Sequence, residues 1–127
     1  MPNSKRRLRA LVVDDNFDVA QTFAKLLNAC GCEATFVTDP TQALDEARRL
    51  KPHIAFLDIG MPRFSGYELA RALRKHFPPE QLKLVAVTAY NALEYRKASR
   101  QAGFDAHVQK PVDPAIVEAI IKTVIPD

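Results

Sequence analysis

Five short apolar runs, LRALVV (8–13), CEATFV (32–37), HIAFL (53–57), LKLVAV (82–87) and AHV (106–108), alternate along the chain with five segments of helical character. Regular β-α alternation calls for parallel strands joined by right-handed crossovers, because each helix must pack back onto the sheet that it leaves. The runs are nearly continuous in apolar residues, as strands covered on both faces are. The expected fold is therefore α/β: a doubly wound five-stranded parallel sheet with five helices, for which the order taken is 2-1-3-4-5, one of the common doubly wound orders.

Helix signals fill the intervals. Ala20, Phe23, Ala24 and Leu27 recur at i, i+3, i+4 and i+7, and Gly31 is the natural stop. Asp39 reads as an N-cap with Pro40 at the first helical position. Ser65 and Glu68 fit a capping box opening a helix that carries Leu69, Ala72 and Leu73. Asn91 and Glu94 read as the cap of a fourth helix running to about Ala102, before Gly103. Asp113-Pro114 starts the last helix, with Ile116, Ile120 and Val124 expected on one face.

At 127 residues the chain suits one core, with residues 1–7 as a basic tail and 8–127 as one domain. No apolar run approaches the roughly 20 residues that span a bilayer. The N-terminal apolar run is too short for a secretory signal, so no membrane insertion and a cytoplasmic location are expected. The net charge of +3 owes part of its value to Lys5, Arg6, Arg7 and Arg9, which read as a solvated tail. No nucleic-acid-binding signature accompanies them, and no direct nucleic-acid binding is expected. Cys30 and Cys32 have no further cysteine or nearby histidine, so they read as small buried or half-buried thiols rather than metal ligands. His53 and His76 read as solvated surface residues. Tyr67 and Tyr95 read as packing or partner-facing residues, and RKASR (96–100) as a solvated helix face.

The stretch AFLDIGMPRFSGYE (55–68) sets one aspartate, Asp58, at the end of an apolar strand. A carboxylate there is costly without a partner. Asp14 and Asp15 close the first strand, Thr88 closes the fourth, and Lys110 follows the fifth. All five groups lie at carboxyl ends of strands, where doubly wound sheets bind ligands. Three carboxylates in one cleft repel one another and stay ionised when a cation sits among them. An oxygen-only donor set suits Mg²⁺. With Lys110 as a second cation and Thr88 as a hydroxyl donor, the grouping suits phosphoryl transfer onto Asp58.

The stretches LVVDDN (11–16), FLDIGMP (56–62), VAVTAY (85–90) and HVQKPVD (107–113) carry a resemblance that covers about residues 8–124. The chain resembles the receiver domain of two-component response regulators, which has the CheY-like, flavodoxin-like fold. The resemblance implies that Asp58 accepts a phosphoryl group from a histidine kinase or a histidine phosphotransfer domain. It implies Mg²⁺ held by Asp15 and Asp58, by Asp14 through water, and by the Gly60 carbonyl. Thr88, the Ala89 amide and Lys110 would contact the phosphoryl oxygens, and the Lys110-Pro111 peptide would be cis. Thr88 and His107 would form the switch pair. His107 departs from the family's usual Tyr or Phe, replacing one ring by another that titrates near neutrality. Gly60 and Tyr90 occupy the positions that tune phosphoryl lifetime. The output surface would be the fourth helix, fifth strand and fifth helix, and homodimerisation stays open. The tone of YRKASRQAGFDAHVQKPVDP leans toward receivers of hybrid histidine kinases.

Three other readings compete. A haloacid-dehalogenase-like phosphatase also uses a nucleophilic aspartate with Mg²⁺, but it wants a second acid where this chain has Gly60. A flavodoxin-like FMN module wants a phosphate loop where this chain has DDNFD. A phosphorylation-independent interaction domain of the same fold would not need all five site groups. The expectation is thus a signalling domain that catalyses only its own phosphorylation and dephosphorylation.

Overall fold

The structure, a computed structural model, describes residues 7–61, 65–89 and 93–124, without the side chains of 93–96 and 99. Ten main elements alternate: β1 (Arg9–Val13), α1 (Phe17–Ala29), β2 (Glu33–Val37), α2 (Ala43–Leu50), β3 (Ile54–Asp58), α3 (Gly66–His76), β4 (Lys83–Thr88), α4 (Leu93–Ala102), β5 (Ala106–Gln109) and α5 (Pro114–Ile121). The strands are all parallel, in the order β2-β1-β3-β4-β5. The fold expected from the alternation is the fold observed.

Successive side chains of a strand point to opposite faces, so one buried strand feeds two cores. Leu11, Val13, Leu57 and Leu84 join Ala47, Leu69 and Leu73 on one side of the sheet. Val12, Phe56 and Val85 join Phe23, Leu27, Val117 and Ile121 on the other. Tyr67 packs edge-on to Phe104, its ring centroid 6.4 Å away, as a packing role predicts. The edge strand β2 departs from the expectation of full cover: only Val37 is buried. An edge has one neighbouring strand and less helix above it, so its middle residues stay half-exposed.

Caps follow local chemistry. The Asn16 side chain accepts the Val19 amide at 3.1 Å and opens α1. Asp39 caps a 3₁₀ turn, Pro40–Gln42, rather than α2 itself. Ser65 caps α3 by accepting the Tyr67 amide at 3.1 Å. Asn91, Tyr90, Lys5 and Arg6 lie outside the described residues, as does the Tyr95 side chain; Lys97 and Arg100 are exposed.

Three expectations need correction. The fully buried residues of α5 are Val117 and Ile121, and Ile116 is 49% exposed, whereas Ile120 and, just past the helix end, Val124 pack half-buried against the same core as expected. The helix, capped by Asp113 accepting the Ala115 amide, carries two adjacent apolar stripes, of which the one with Val117 and Ile121 meets the sheet. Shaving one methylene should show the difference. Ile121→Val is expected to cost about 0.5–1.5 kcal/mol in urea unfolding, and Ile116→Val less than about 0.5. Equal effects would contradict the assigned face.

His53 is buried, not solvated. Its backbone N–H donates to the Arg9 carbonyl (2.8 Å), and its Nδ1 accepts the Arg9 amide (3.0 Å). The imidazole thereby prolongs the β1–β3 ladder by one bond. Arg9 correspondingly does not belong to a solvated tail. It begins β1, and its Nε donates to the Leu50 and Lys51 carbonyls at the end of α2, both at 3.0 Å.

Cys30 is half-buried and Cys32 buried. Burial pushes the Cys32 thiol above its ordinary pKa, and the neighbouring Cys30 adds to the shift. Thiolate is the reactive form. Iodoacetamide followed by peptide mass spectrometry should therefore find Cys30 alkylated well before Cys32; the reverse order would overturn this placement.

Candidate functional site

Sheet register assembles the site. Val13 pairs with Leu57, so the residues that follow, Asp14 and Asp58, emerge side by side at the β1–β3 crossover. Asp58 pairs with Val87, which precedes Thr88, and Thr88 pairs with Gln109, which precedes Lys110. Neighbouring strands thus deliver acid, acid, hydroxyl and ammonium to one edge, with Asp15 one residue beyond Asp14.

Carboxylate oxygens of Asp14, Asp15 and Asp58 lie within 4.8 Å of one another. Asp14 and Asp58 are buried and Asp15 is exposed. Asp14 Oδ1 accepts the Asn16 amide (3.0 Å), and Asp58 Oδ1 accepts the Gly60 amide (2.8 Å). Their other oxygens face Lys110, whose Nζ is 3.2 Å from Asp14 Oδ2 and 3.5 Å from Asp58 Oδ2. Burial alone would lower the Lys110 pKa, but the Asp58 and Asp14 carboxylates outweigh it and hold the ammonium above the ordinary lysine value. Lys110 therefore stays charged at neutral pH. Three carboxylates against one ammonium leave the cluster anionic.

The Lys110 backbone N–H donates to the Thr88 carbonyl at 2.7 Å, and the Lys110-Pro111 peptide is cis. Thr88 is buried, Ala89 and Gly60 are exposed, and His107 is half-buried on β5 opposite Ala86. Eight of the nine residues singled out in the sequence thus stand at this sheet edge or on the strands that lead to it; the ninth, Tyr90, lies outside the described residues.

An oxygen-only cluster of this span fits a hard divalent ion. Such an ion takes few protein carboxylates and keeps several waters, which suits this small group of acids.

One supporting residue was not singled out. Gly66 opens α3 directly over the site: a Cβ there would lie 2.7 Å from the Asp58 carbonyl oxygen and 2.7 Å from Ile59 Cα. Only a bare backbone lets α3 approach the acid-bearing strand end so closely. Its sequence signal was the capping Ser65 just before it.

Comparison with known proteins agrees with the fold. The family model described as the response regulator receiver domain matches residues 10–122. The polar-differentiation response regulator DivK of Brucella anthropi is 31% identical over 111 residues, covering 87% of this chain and 90% of DivK. An uncharacterized 14.6 kDa protein of Leptolyngbya boryana is 35% identical over 104 residues, covering 82% of this chain and 79% of the relative. Among solved structures, a CheY-like receiver domain protein from Methanospirillum hungatei aligns with a TM-score of 0.83 at 30% identity, over 93% of each chain. The chemotaxis protein CheY4 of Vibrio cholerae aligns at 0.86 and 22% identity, over 94% of this chain and 100% of its own, a likeness of fold.

Proposed function

The chain belongs to the response regulator receiver domain family of two-component signalling, and from that premise we propose that it is a phosphoacceptor whose nucleophile is Asp58. The observation that carries the reading is the clustering of three carboxylates with Lys110 bridging two of them. A structural ion pair needs one acid; a site that must accept further oxyanion charge needs spare cation-binding capacity.

In this reading a carboxylate oxygen of Asp58 attacks the phosphorus of a phosphohistidine on a histidine kinase or phosphotransfer domain. The O–P bond forms as the N–P bond breaks, and the bonding pair leaves with the imidazole nitrogen. The rate comes from positioning and charge neutralisation. Asp15, Asp58 and the Gly60 carbonyl, with Asp14 through water, would hold Mg²⁺, which when bound would neutralise charge on the transferring oxygens. Lys110 shifts from carboxylate oxygens to a phosphoryl oxygen. The Thr88 hydroxyl and the Ala89 amide donate to the others.

The acyl phosphate carries roughly 1.5–2 negative charges where the carboxylate carried one, and it adds strong acceptor oxygens. Thr88 is drawn toward it, His107 moves into the vacated space, and α4, β5 and α5 present the altered surface to a partner protein. The group's differential contacts with two pre-existing states set the shift. A cytoplasmic location accords with a chain whose described residues hold no helix long and apolar enough to cross a membrane. The phosphatase reading is weaker because Gly60 stands where a second catalytic acid would be.

Incubation with acetyl phosphate and Mg²⁺ tests the proposal. The expected result is a mass gain of one phosphoryl group, labile in acid, mapped to a peptide containing Asp58 and not formed when the incubation contains excess chelator. Absence of the gain, or its formation in excess chelator, would refute it.

A further inference from the structure

Arg74, in the last turn of α3, directs all five of its guanidinium N–H groups to partners. Nε and Nη2 both donate to the Gly103 carbonyl, at 3.2 and 2.9 Å. Nη1 donates to the Phe77 and Leu82 carbonyls, at 3.1 and 2.7 Å. Nη2 also meets Asp105 Oδ2 at 2.7 Å, and that oxygen accepts the Leu84 amide at 2.9 Å. One cation thus ties the end of α3, the start of β4, the residue after α4 and the lead into β5. The side chain is 16% exposed, so solvent screens these bonds only in part.

Gly103 has the backbone of a pivot. It follows the last residue of α4, its φ is +106°, and a Cβ there would stand 3.3 Å from Arg74 Cγ. The other end of α4 leads back to Thr88, where the phosphoryl group would act. The helix is therefore joined at one end to the part of the sheet that senses the modification, and bolted at the other to α3 and to the opposite ends of β4 and β5.

We infer that Arg74 is a positioning residue of the switch: it pins the Gly103 end of α4 to α3 and β4, so that phosphorylation moves α4 as a lever hinged at Gly103. The lever rests on the phosphoacceptor reading; the pin does not. Ordinary packing could stabilise the fold without singling out this hinge, whereas a saturated guanidinium with two bonds on one hinge carbonyl fixes its position and orientation.

Backbone amide NMR of the full chain, with and without beryllofluoride and Mg²⁺ as phosphoryl mimic, tests it. In the unsubstituted protein, beryllofluoride should shift α4 and β5 amides while Gly103, Leu84 and Asp105 stay fixed. Arg74→Met keeps the aliphatic stem and removes the donors. It should speed hydrogen exchange at Gly103, Leu84 and Asp105 by about tenfold or more, leave β1 and α1 unchanged, and let beryllofluoride shift Gly103 as well. Asp105→Asn removes only the ion pair, should give a smaller change in the same direction, and serves if Arg74→Met does not fold. Exchange quickened evenly over the whole chain would make Arg74 a general stabiliser and overturn the proposal. Gly103 shifting as far as α4 in the unsubstituted protein would overturn the lever alone. No response to beryllofluoride anywhere would overturn the acceptor reading and the lever with it.

Discussion

Asp58→Asn should reduce phosphoryl uptake from acetyl phosphate to background while leaving the fold intact and somewhat more stable. Both halves follow from the geometry. The amide keeps the shape of the carboxylate, and its oxygen can still accept the Gly60 amide that Asp58 accepts at 2.8 Å. It is no nucleophile, so no acyl phosphate forms. Electrostatically, the change removes two repulsions, with Asp14 and Asp15, and one attraction, with Lys110 at 3.5 Å. Lys110 keeps its closer partner, Asp14, at 3.2 Å. One net repulsion relieved in this largely buried cluster should raise stability by about 1–2 kcal/mol at low salt, and less as salt screens it. The checks are intact-mass spectrometry after acetyl phosphate and urea midpoints at two ionic strengths. Asp14→Asn and Asp15→Asn, which keep the acceptor, should instead weaken uptake and raise the Mg²⁺ concentration that it requires. Full uptake by Asp58→Asn, on any residue, would remove the central assignment.

The strands were readable because each is a short apolar run closed by polar or turn residues, and the site because its polar members fall at strand ends. Asp14, Asp58, Thr88 and Lys110 need only parallel strands in this order to come together at one edge, and the parallel direction follows from the alternation itself. What escaped the sequence depends on contacts between elements distant along the chain. His53 stands before a strand and looks solvent-bound until the Arg9 amide is placed against its ring. Arg9 looks like one more tail cation until the carbonyls ending α2 lie beside it. On α5, periodicity allowed two stripes, and only the sheet beneath selected Val117 and Ile121 over Ile116. Arg74 carried no signal, because four of its five bonds run to backbone carbonyls that have no letter in a sequence.

Gly66→Ala should be the most damaging single-methyl change near the site, although alanine is ordinarily the better helix residue. Replacing glycine inside a helix usually gains about 0.5–1 kcal/mol. Here the added Cβ meets the Asp58 carbonyl oxygen and Ile59 Cα at 2.7 Å and Ile59 Cγ2 at 2.9 Å. Two of the three are backbone atoms, which cannot swing aside as a flexible side chain can. Overpacking of this kind costs about 1–3 kcal/mol or more, and it outweighs the propensity gain. Relief requires α3 to lift or the end of β3 to retreat, and either shifts the carboxylate that must meet the phosphorus. A displacement approaching 1 Å is worth up to about a hundredfold in rate, so uptake from acetyl phosphate should slow by at least about tenfold. Gly60→Ala supplies the contrast. Its Cβ would meet only Asp58 Oδ1, at an ordinary 3.4 Å, so its stability should stay within about 0.5 kcal/mol of the parent. Urea unfolding and uptake kinetics of the two variants, measured together, decide the matter. If Gly66→Ala matches Gly60→Ala in both, the close seating of α3 on the acceptor strand is not what positions Asp58.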